Sequence, residues 1–303
     1  MMSQLIQTIL VTVNTEHSTH VALDKAEQLA KQTHAELHLL TSTYDSITQY
    51  SDFLSEPQYL QIQQHMLSNK EALLDEIADE IENNGVKCIN HVRFTPNIAD
   101  ALDDLTAALD IDLVMKRKSE DLDQINPFYT PTDRQCIRHS HKPLWLVNDD
   151  ELTYQSIVVA IDPISGDKAH QILNEKIVLY SRWLADKYDA NVIYINVYEA
   201  PIQTVGFEMA AIAYDDLLDN VARHHEEAMH EFAQAHDIDP KNCIIDMGDP
   251  AQIIAHNCDT HKADLLIIGT VGRSGISGFF IGNTAEDVLG KVHCEVLCIP
   301  AQE

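Results

Sequence analysis

The sequence predicts an α/β protein made of two tandem domains, residues 1–150 and 151–303, each a doubly wound, five-stranded parallel sheet. Three observations lead to this fold class. Short apolar runs rich in β-branched residues alternate with segments that carry apolar residues at helical spacing. The order of these segments starts over in the second half. Individual residues also recur, since Asp112-Leu113-Val114 matches Asp264-Leu265-Leu266.

The first domain is predicted from five strand-like runs and the helices between them. The long second helix stops at Gly85, a residue type that ends helices readily. The predicted strands cover residues 6–13, 36–41, 86–94, 112–115 and 143–147. The predicted helices cover residues 19–32, 57–84, 98–109 and 131–139. Joined by right-handed crossovers, these elements give helices on both faces of the sheet.

The second domain follows an acidic, polar linker at residues 151–156 and repeats the same order. Its predicted strands cover residues 157–162, 191–197, 243–247, 264–268 and 294–299. Its predicted helices cover residues 168–188, 250–260 and 283–289, with a loop and a long helix inside 206–236. The chain therefore reads as a duplication.

The composition argues against several classes of protein. A formal net charge of -28 and a pI near 4.7 oppose binding to nucleic acid or to an anionic membrane. No run approaches the length of an apolar membrane span, and residues 1–4 lack the basic start of a signal peptide. A cytoplasmic protein is expected. The six cysteines lack a CxxC pair, which favours reduced and mostly buried thiols.

A glycine cluster follows the predicted buried strand at 264–268. Five of the ten glycines in the chain fall within residues 269–282, just before the helix-like segment 283–289. Backbone N–H groups in such a loop can converge on an anion, which predicts a phosphate-binding site. The spacings GxxxxGK[ST] and GxGxxG do not fit. A tight turn that binds nothing is the alternative.

The spacing that fits is Gly269-x-x-Gly272, nine residues, then Gly282-Asn283-Thr284. It resembles the nucleotide-binding motif of the universal stress protein family, in which Gly-x-x-Gly, nine residues and Gly-Ser/Thr wrap the ribose and phosphates of ATP. Asn283 stands where the family usually has Ser or Thr, and the hydroxyl follows at Thr284. The resemblance covers essentially the whole chain. It implies two family domains that pair through their last strands, with a homodimer as a further possibility.

The resemblance implies one ATP site, in the second domain, with Mg²⁺ bound alongside the nucleotide. Where the second half has the glycine motif from residue 269, the first half has Arg117-Lys118-Ser119-Glu120, whose side chains would keep phosphates away from the backbone. The residues implied to contact the nucleotide are Asp162, Pro163, Val197, Ile268, Gly269, Val271, Gly272, Arg273, Gly282, Asn283 and Thr284.

The resemblance implies a nucleotide-responsive regulator in stress response, acting on an unidentified protein partner, and such a binding protein is favoured over an enzyme. Beyond Asp162 the second half offers no evident base and no dedicated Lys, so at most slow ATP hydrolysis and no catalytic residue are predicted. The alternative is a stress protein whose glycine loop binds nothing. That protein would hold an apolar small molecule or a protein partner, with the apolar segment 201–218 as a lid, a pocket wall or an inter-domain contact.

Three further clusters of His, Cys and acidic residues are candidate metal sites. His224, His225 and His230 share a helix with several glutamates, and their spacing predicts an exposed polar face rather than a zinc site. The sets at residues 136–141 and 256–261 combine Cys and His more densely. Sequence spacing alone does not complete a tetrahedral site, and no metal-binding residue is predicted there.

Overall fold

A computed structural model describes residues 5–16, 19–44, 54–119, 132–164, 168–200, 210–270 and 283–301. The chain divides into two compact units, Met1–Leu152 and Thr153–Glu303. Each unit is an α/β fold in which the paired strands are parallel. The predicted fold class is confirmed.

The first unit has the strand order β3-β2-β1-β4-β5. Its strands are β1 Thr8–Thr12, β2 Glu36–Thr43, β3 Cys88–Phe94, β4 Leu113–Arg117 and β5 Leu144–Val147. Its helices are α1 Val21–Thr33, α2 Glu56–Asn83, α3 Ile98–Ala108 and α4 Thr132–His139. The chain leaves β1 on one side and returns on the other at β4, so the strand order reverses beside β1.

The second unit repeats this topology as β8-β7-β6-β9-β10. Its strands are β6 Ser156–Ala160, β7 Asn191–Tyr198, β8 Cys243–Met247, β9 Leu265–Thr270 and β10 Glu295–Pro300. Its helices are α5 Lys168–Tyr188, α6 Ala210–Ala235, α7 Pro250–Thr260 and α8 Asn283–Leu289, with a 3-10 helix at Pro240–Asn242. The reversal beside β6 corresponds to the one beside β1.

The central strands are buried because helices cover both faces of each sheet. Residues 9–11 of β1 and 157–159 of β6 are fully buried, which explains why these strands are continuous apolar runs instead of alternating ones. Polar caps start the helices beside the strand ends. Asn97 accepts from the Ala99 amide at 3.1 Å, and Asp249 accepts from the Gln252 amide at 2.8 Å.

The structure also describes the hydropathy of the helices and the state of the cysteines. In the described ranges, none of the helices has the length and hydropathy needed to cross a bilayer. All six cysteines are free; Cys136, Cys258 and Cys298 are buried, and the other three are half-buried.

Candidate functional site

A cavity of about 350 Å³ lies at the carboxyl ends of β6, β7 and β9 in the second unit. This edge is where the strand order reverses, and doubly wound sheets generally bind their ligands at such a crevice. Helices α5, α6, α7 and α8 contribute the remaining walls. Apolar side chains form much of the lining: Ile161, Leu173, Ile177, Ile195, Ile254 and Ile268.

Several residues predicted from the motif meet at this cavity, although they come from four separate parts of the chain. The lining includes Asp162, Val197, Ile268, Gly269 and Thr284. Pro163 is half-buried and is not part of the lining. Val271, Gly272, Arg273 and Gly282, together with the side chain of Asn283, lie outside the described residues.

Asp162 follows β6 at the mouth of the cavity. Its side chain is exposed, and its Oδ1 accepts from the Ile164 amide at 3.1 Å, which shapes the turn after the strand. Its backbone carbonyl accepts from Asn174 Nδ2 on α5 at 2.8 Å. The carboxylate is therefore held by its own turn, and the backbone of residue 162 is held by the neighbouring helix.

Gly269 has a packing role that the sequence did not reveal. The predicted strand ends at residue 268, but β9 continues because Gly269 and Thr270 pair with Ile299 and Pro300 of β10. A Cβ at residue 269 would lie 2.4 Å from Leu173 Cδ2. The close approach of α5 therefore favours glycine here whatever the cavity binds, because any larger residue would force the Leu173 side chain to move. Its contact with a ribose stays a prediction.

His225 is a cavity residue that the sequence analysis missed. It projects from α6, stacks on Tyr198 with ring centroids 4.0 Å apart, and places Nδ1 2.7 Å from Asn196 Oδ1. Asn196 Nδ2 in turn donates to the Ile161 carbonyl at 3.1 Å. Because the amide nitrogen is the donor in that bond, Asn196 Oδ1 must accept from His225 Nδ1.

This arrangement fixes the tautomer of His225. With the proton on Nδ1, the neutral ring keeps Nε2 as a hydrogen-bond acceptor. Burial lowers the pKa of His225, an effect that Asp162 opposes and His224 assists. The cavity wall therefore carries a neutral imidazole at physiological pH.

The predicted exposed histidine face is wrong for His225, which is half-buried, whereas His224 and His230 are exposed. Helical spacing on α6 could not reveal this, because the partners lie on a different element. Tyr198 and Asn196 belong to β7, and only the fold brings them under the helix.

The two Cys and His sets do not form a metal centre within the described part of the chain, where no three ligating side chains converge. Burial raises the pKa of the Cys136 thiol to about 12. A thiol of that pKa is protonated at neutral pH, whereas the form that binds metal is the thiolate.

Comparison with known proteins assigns the family. The model of the universal stress protein family matches residues 6–148 and again residues 153–300. The chain belongs to the universal stress protein family. The two matches follow the two units, so the duplication seen in the sequence is a duplication of the family domain.

Relatives of this universal stress protein share its tandem length. It is 26% identical over 298 residues to a universal stress protein E homolog of Haemophilus influenzae, covering 96% of both chains. It is 28% identical over 303 residues to universal stress protein E of Photorhabdus laumondii, covering 97% of this chain and 94% of that one. Similarity at this level extends through both domains.

Solved structures show the same fold. A putative universal stress protein from Pseudomonas aeruginosa superposes with a TM-score of 0.73 at 22% identity, covering 98% of this chain and 94% of that one. A universal stress protein from Archaeoglobus fulgidus gives a TM-score of 0.62 at 17% identity, covering 97% and 98% of the two chains.

Proposed function

We propose that this universal stress protein binds ATP in the cavity of its second unit and acts as a nucleotide-responsive regulator in stress response. The observation that carries the proposal is the convergence of Asp162, Val197 and Thr284 on one cavity at the strand-order reversal. Residues far apart in sequence, each implied by the family motif, share that site. Its volume of about 350 Å³ lies within the range of small-molecule sites.

The chemistry of the lining fits a nucleotide. Val197 and the surrounding isoleucines supply an apolar wall for a base, and the Asp162 carboxylate can accept hydrogen bonds from ribose hydroxyls. Thr284 offers a hydroxyl on the side where the motif places the phosphates. A Mg²⁺ ion bound with the nucleotide would offset the phosphate charge, which matters in a chain of net charge -28.

The proposal is tested by calorimetric titration of MgATP into the full chain and two matched variants. Ala160 ends β6 and lines the second-unit cavity, so Ala160→Leu places three more carbon atoms in it. Thr12 ends β1 in the same way and lines the corresponding cavity of the first unit, so Thr12→Leu is the control. We expect binding at one site per chain that Ala160→Leu abolishes and Thr12→Leu leaves unchanged.

Two results would overturn the proposal. One is the absence of MgATP binding by folded, ligand-free wild type. The other is unchanged binding by Ala160→Leu, because a nucleotide in this cavity would meet the larger side chain. Circular dichroism of each variant shows whether a loss of binding reflects unfolding.

A second candidate ligand is an apolar small molecule in the same cavity. It is favoured by the lining, in which residues such as Leu173, Ile177 and Ile254 outnumber the polar groups. Native mass spectrometry of the purified protein separates the two candidates. A co-purifying apolar compound that MgATP does not displace supports the second one.

A further inference from the structure

The first unit has a cavity of its own at the corresponding sheet edge. It measures about 630 Å³ and lies at the carboxyl ends of β1, β2 and β4, beside the start of α1. The motif argument predicts that no ATP site exists here, because the glycines are missing. The cavity is nevertheless larger than the one of about 350 Å³ in the second unit.

The lining of this cavity is cationic. Lys70, Lys116, Arg117 and Lys118 contribute four of the 20 Lys and Arg side chains in the whole chain. Glu16 is the single carboxylate among the described lining residues, and its side chain is 76% exposed. Lys116 pairs with the buried Asp133 at 2.6 Å and Lys70 pairs with Glu16 at 3.2 Å. The clustering of four cations at one cavity is unusual in a chain of net charge -28.

Two of the cations occupy sequence positions that correspond to the start of the glycine motif. Arg117 and Lys118 follow the buried residues of β4, at the positions where the second unit has Gly269 and Thr270 at the end of β9. A backbone carrying these side chains cannot cradle phosphates closely, but the side chains themselves are phosphate and carboxylate ligands. The first unit therefore carries cationic side chains at sequence positions where the second unit carries the start of its glycine motif.

A buried carboxylate holds this segment in place. Asp133 of α4 is fully buried and accepts from Lys116 Nζ at 2.6 Å and from the Ser119 amide at 2.7 Å. The Lys118 amide donates to the Val147 carbonyl of β5 at 2.8 Å. The backbone from residue 116 to 119 is thus fixed without a ligand, a preorganisation that lowers the entropic cost of binding.

The opposite wall supplies further groups suited to an anion. Lys70 of α2 has a side chain only 16% exposed and donates to Thr15 Oγ1 at 2.9 Å and Glu16 Oε1 at 3.2 Å. The first turn of the 13-residue helix α1 also lines the cavity, and the N-cap residue His20 makes no side-chain capping bond to it. The positive end of that helix adds to the field of the lysines.

We propose that the first-unit cavity is a binding site for a small multivalent anion, held by side-chain cations. The recognised chemistry is two or more phosphate or carboxylate groups on one small molecule, contacted by Arg117 and Lys118 on one side and Lys70 on the other. The site is separate from the proposed ATP cavity and does not depend on it.

The probes are inorganic tripolyphosphate and citrate, titrated separately into the full chain at low ionic strength. Tripolyphosphate tests phosphate groups and citrate tests carboxylates. Lys118→Gln removes one cavity charge while keeping a side chain of similar length. Lys87→Gln is the matched control, because Lys87 lies in the same unit, outside the cavity, with a side chain 69% exposed. Lys116 is unsuitable, since its removal would strand the buried Asp133 carboxylate.

We expect one of the probes to bind at one site per chain. Lys118→Gln weakens that binding about tenfold, the loss of one charge-assisted hydrogen bond, and Lys87→Gln leaves it unchanged. Thr12→Leu, which places a larger apolar side chain in the first-unit cavity, weakens it, whereas Ala160→Leu does not. Added salt weakens it, because the contacts are ionic.

Three results would overturn the inference. The first is that neither probe binds the folded wild type. The second is that Lys87→Gln weakens anion binding as much as Lys118→Gln does, and the third is that Ala160→Leu abolishes anion binding. An equal effect of Lys87→Gln would mean that the anion responds only to the overall charge of the protein. Loss of binding in Ala160→Leu would mean that the anion binds in the second unit. Loss of MgATP binding alone would leave this inference standing, so the two proposals fail separately.

Discussion

Asp112 and Asp264 occupy equivalent positions in the two halves of the chain, and each accepts hydrogen bonds from an equivalent pair of backbone amides. Asp112 Oδ2 accepts from the amides of residues 7 and 8 at 2.8 and 3.0 Å. Asp264 Oδ2 accepts from the amides of residues 155 and 156 at 2.7 and 3.0 Å. Each aspartate thereby ties the entry of the central strand of its unit to the entry of the neighbouring strand.

Removing either carboxylate should destabilise its own unit. Asp112→Ala and Asp264→Ala each leave two strand-entry amides without their partner, so we expect each to lower the free energy of unfolding by about 1–3 kcal/mol. Urea unfolding followed by circular dichroism measures the change. Asp110→Ala is the control, because that side chain is 99% exposed and its removal should change little. Equal effects of all three substitutions would contradict this account.

Local signals predicted most of the fold. The helices Lys168–Tyr188 and Pro250–Thr260 lie where the sequence placed them, since apolar periodicity and an N-terminal Asp-Pro cap are local features. The errors are at strand ends, where length depends on the partner strand. Strand β4 was predicted to stop at residue 115, and it continues through Lys116 and Arg117 because they pair with Leu146 and Val147.

The sequence predicted only those residues of the candidate site that belong to a recognisable motif. Gly269 was found from its spacing, but its contact with Leu173 depends on how closely α5 packs, which spacing does not encode. His225 and Asn196 are joined by a hydrogen bond across 29 positions of sequence. No periodicity links residues on different elements, so such pairs appear only once the fold is known.

Removing one partner of the ion pair between Lys116 and Asp133 should destabilise the first unit more than replacing both partners with apolar residues. Lys116→Ile alone leaves a fully buried carboxylate unpaired, so we expect a loss of about 3–5 kcal/mol in the free energy of unfolding. The second unit has Ile268 and Ala285 at the corresponding positions. Adding Asp133→Ala to Lys116→Ile therefore installs a pair that this fold already accommodates.

We expect the double variant to recover most of the lost stability, measured by urea unfolding. The half-exposed Ser119, which also donates to Asp133, can then bond to water. A double variant less stable than Lys116→Ile alone would show that the carboxylate, rather than its pairing, supports the first unit.

The stacked pair His38 and His91 should make the first unit sensitive to acid. The two rings are joined by a 2.9 Å contact from His38 Nδ1 to His91 Nε2, which needs one donor and one acceptor. Burial, together with smaller contributions from His38 and Arg93, lowers the pKa of His91 to about 4. Burial also lowers the pKa of His38, against the opposing pull of Glu36.

Because these folded-state pKa values lie below the usual 6.5, the unfolded chain binds more protons in this window. Stability should be full above about pH 6.5 and should fall as the pH decreases toward 4. The test compares thermal unfolding of wild type and His91→Gln from pH 7.5 to 4.5. The variant should lose less stability over that range than wild type, and identical pH profiles would contradict the prediction.

His225 should orient the nucleotide if the proposed function is correct. Because Nδ1 donates to Asn196, Nε2 is free of a proton and can accept a hydrogen bond from a ligand in the cavity. An amino group or a ribose hydroxyl of the nucleotide could donate that bond. His225→Phe keeps a ring stacked on Tyr198 but removes that acceptor. We expect about tenfold weaker MgATP binding, with His224→Phe, which alters an exposed ring on the same helix, as the control.

Protonation of wild-type His225 should mimic the substitution. The charged ring has no acceptor, so affinity should fall as the pH decreases through the lowered pKa of His225, while His225→Phe should lack this component. Titrating adenosine beside MgATP separates the imidazole from the phosphates, which also take up protons. A histidine that only fills space against Tyr198 would give equal affinities for wild type and His225→Phe at every pH.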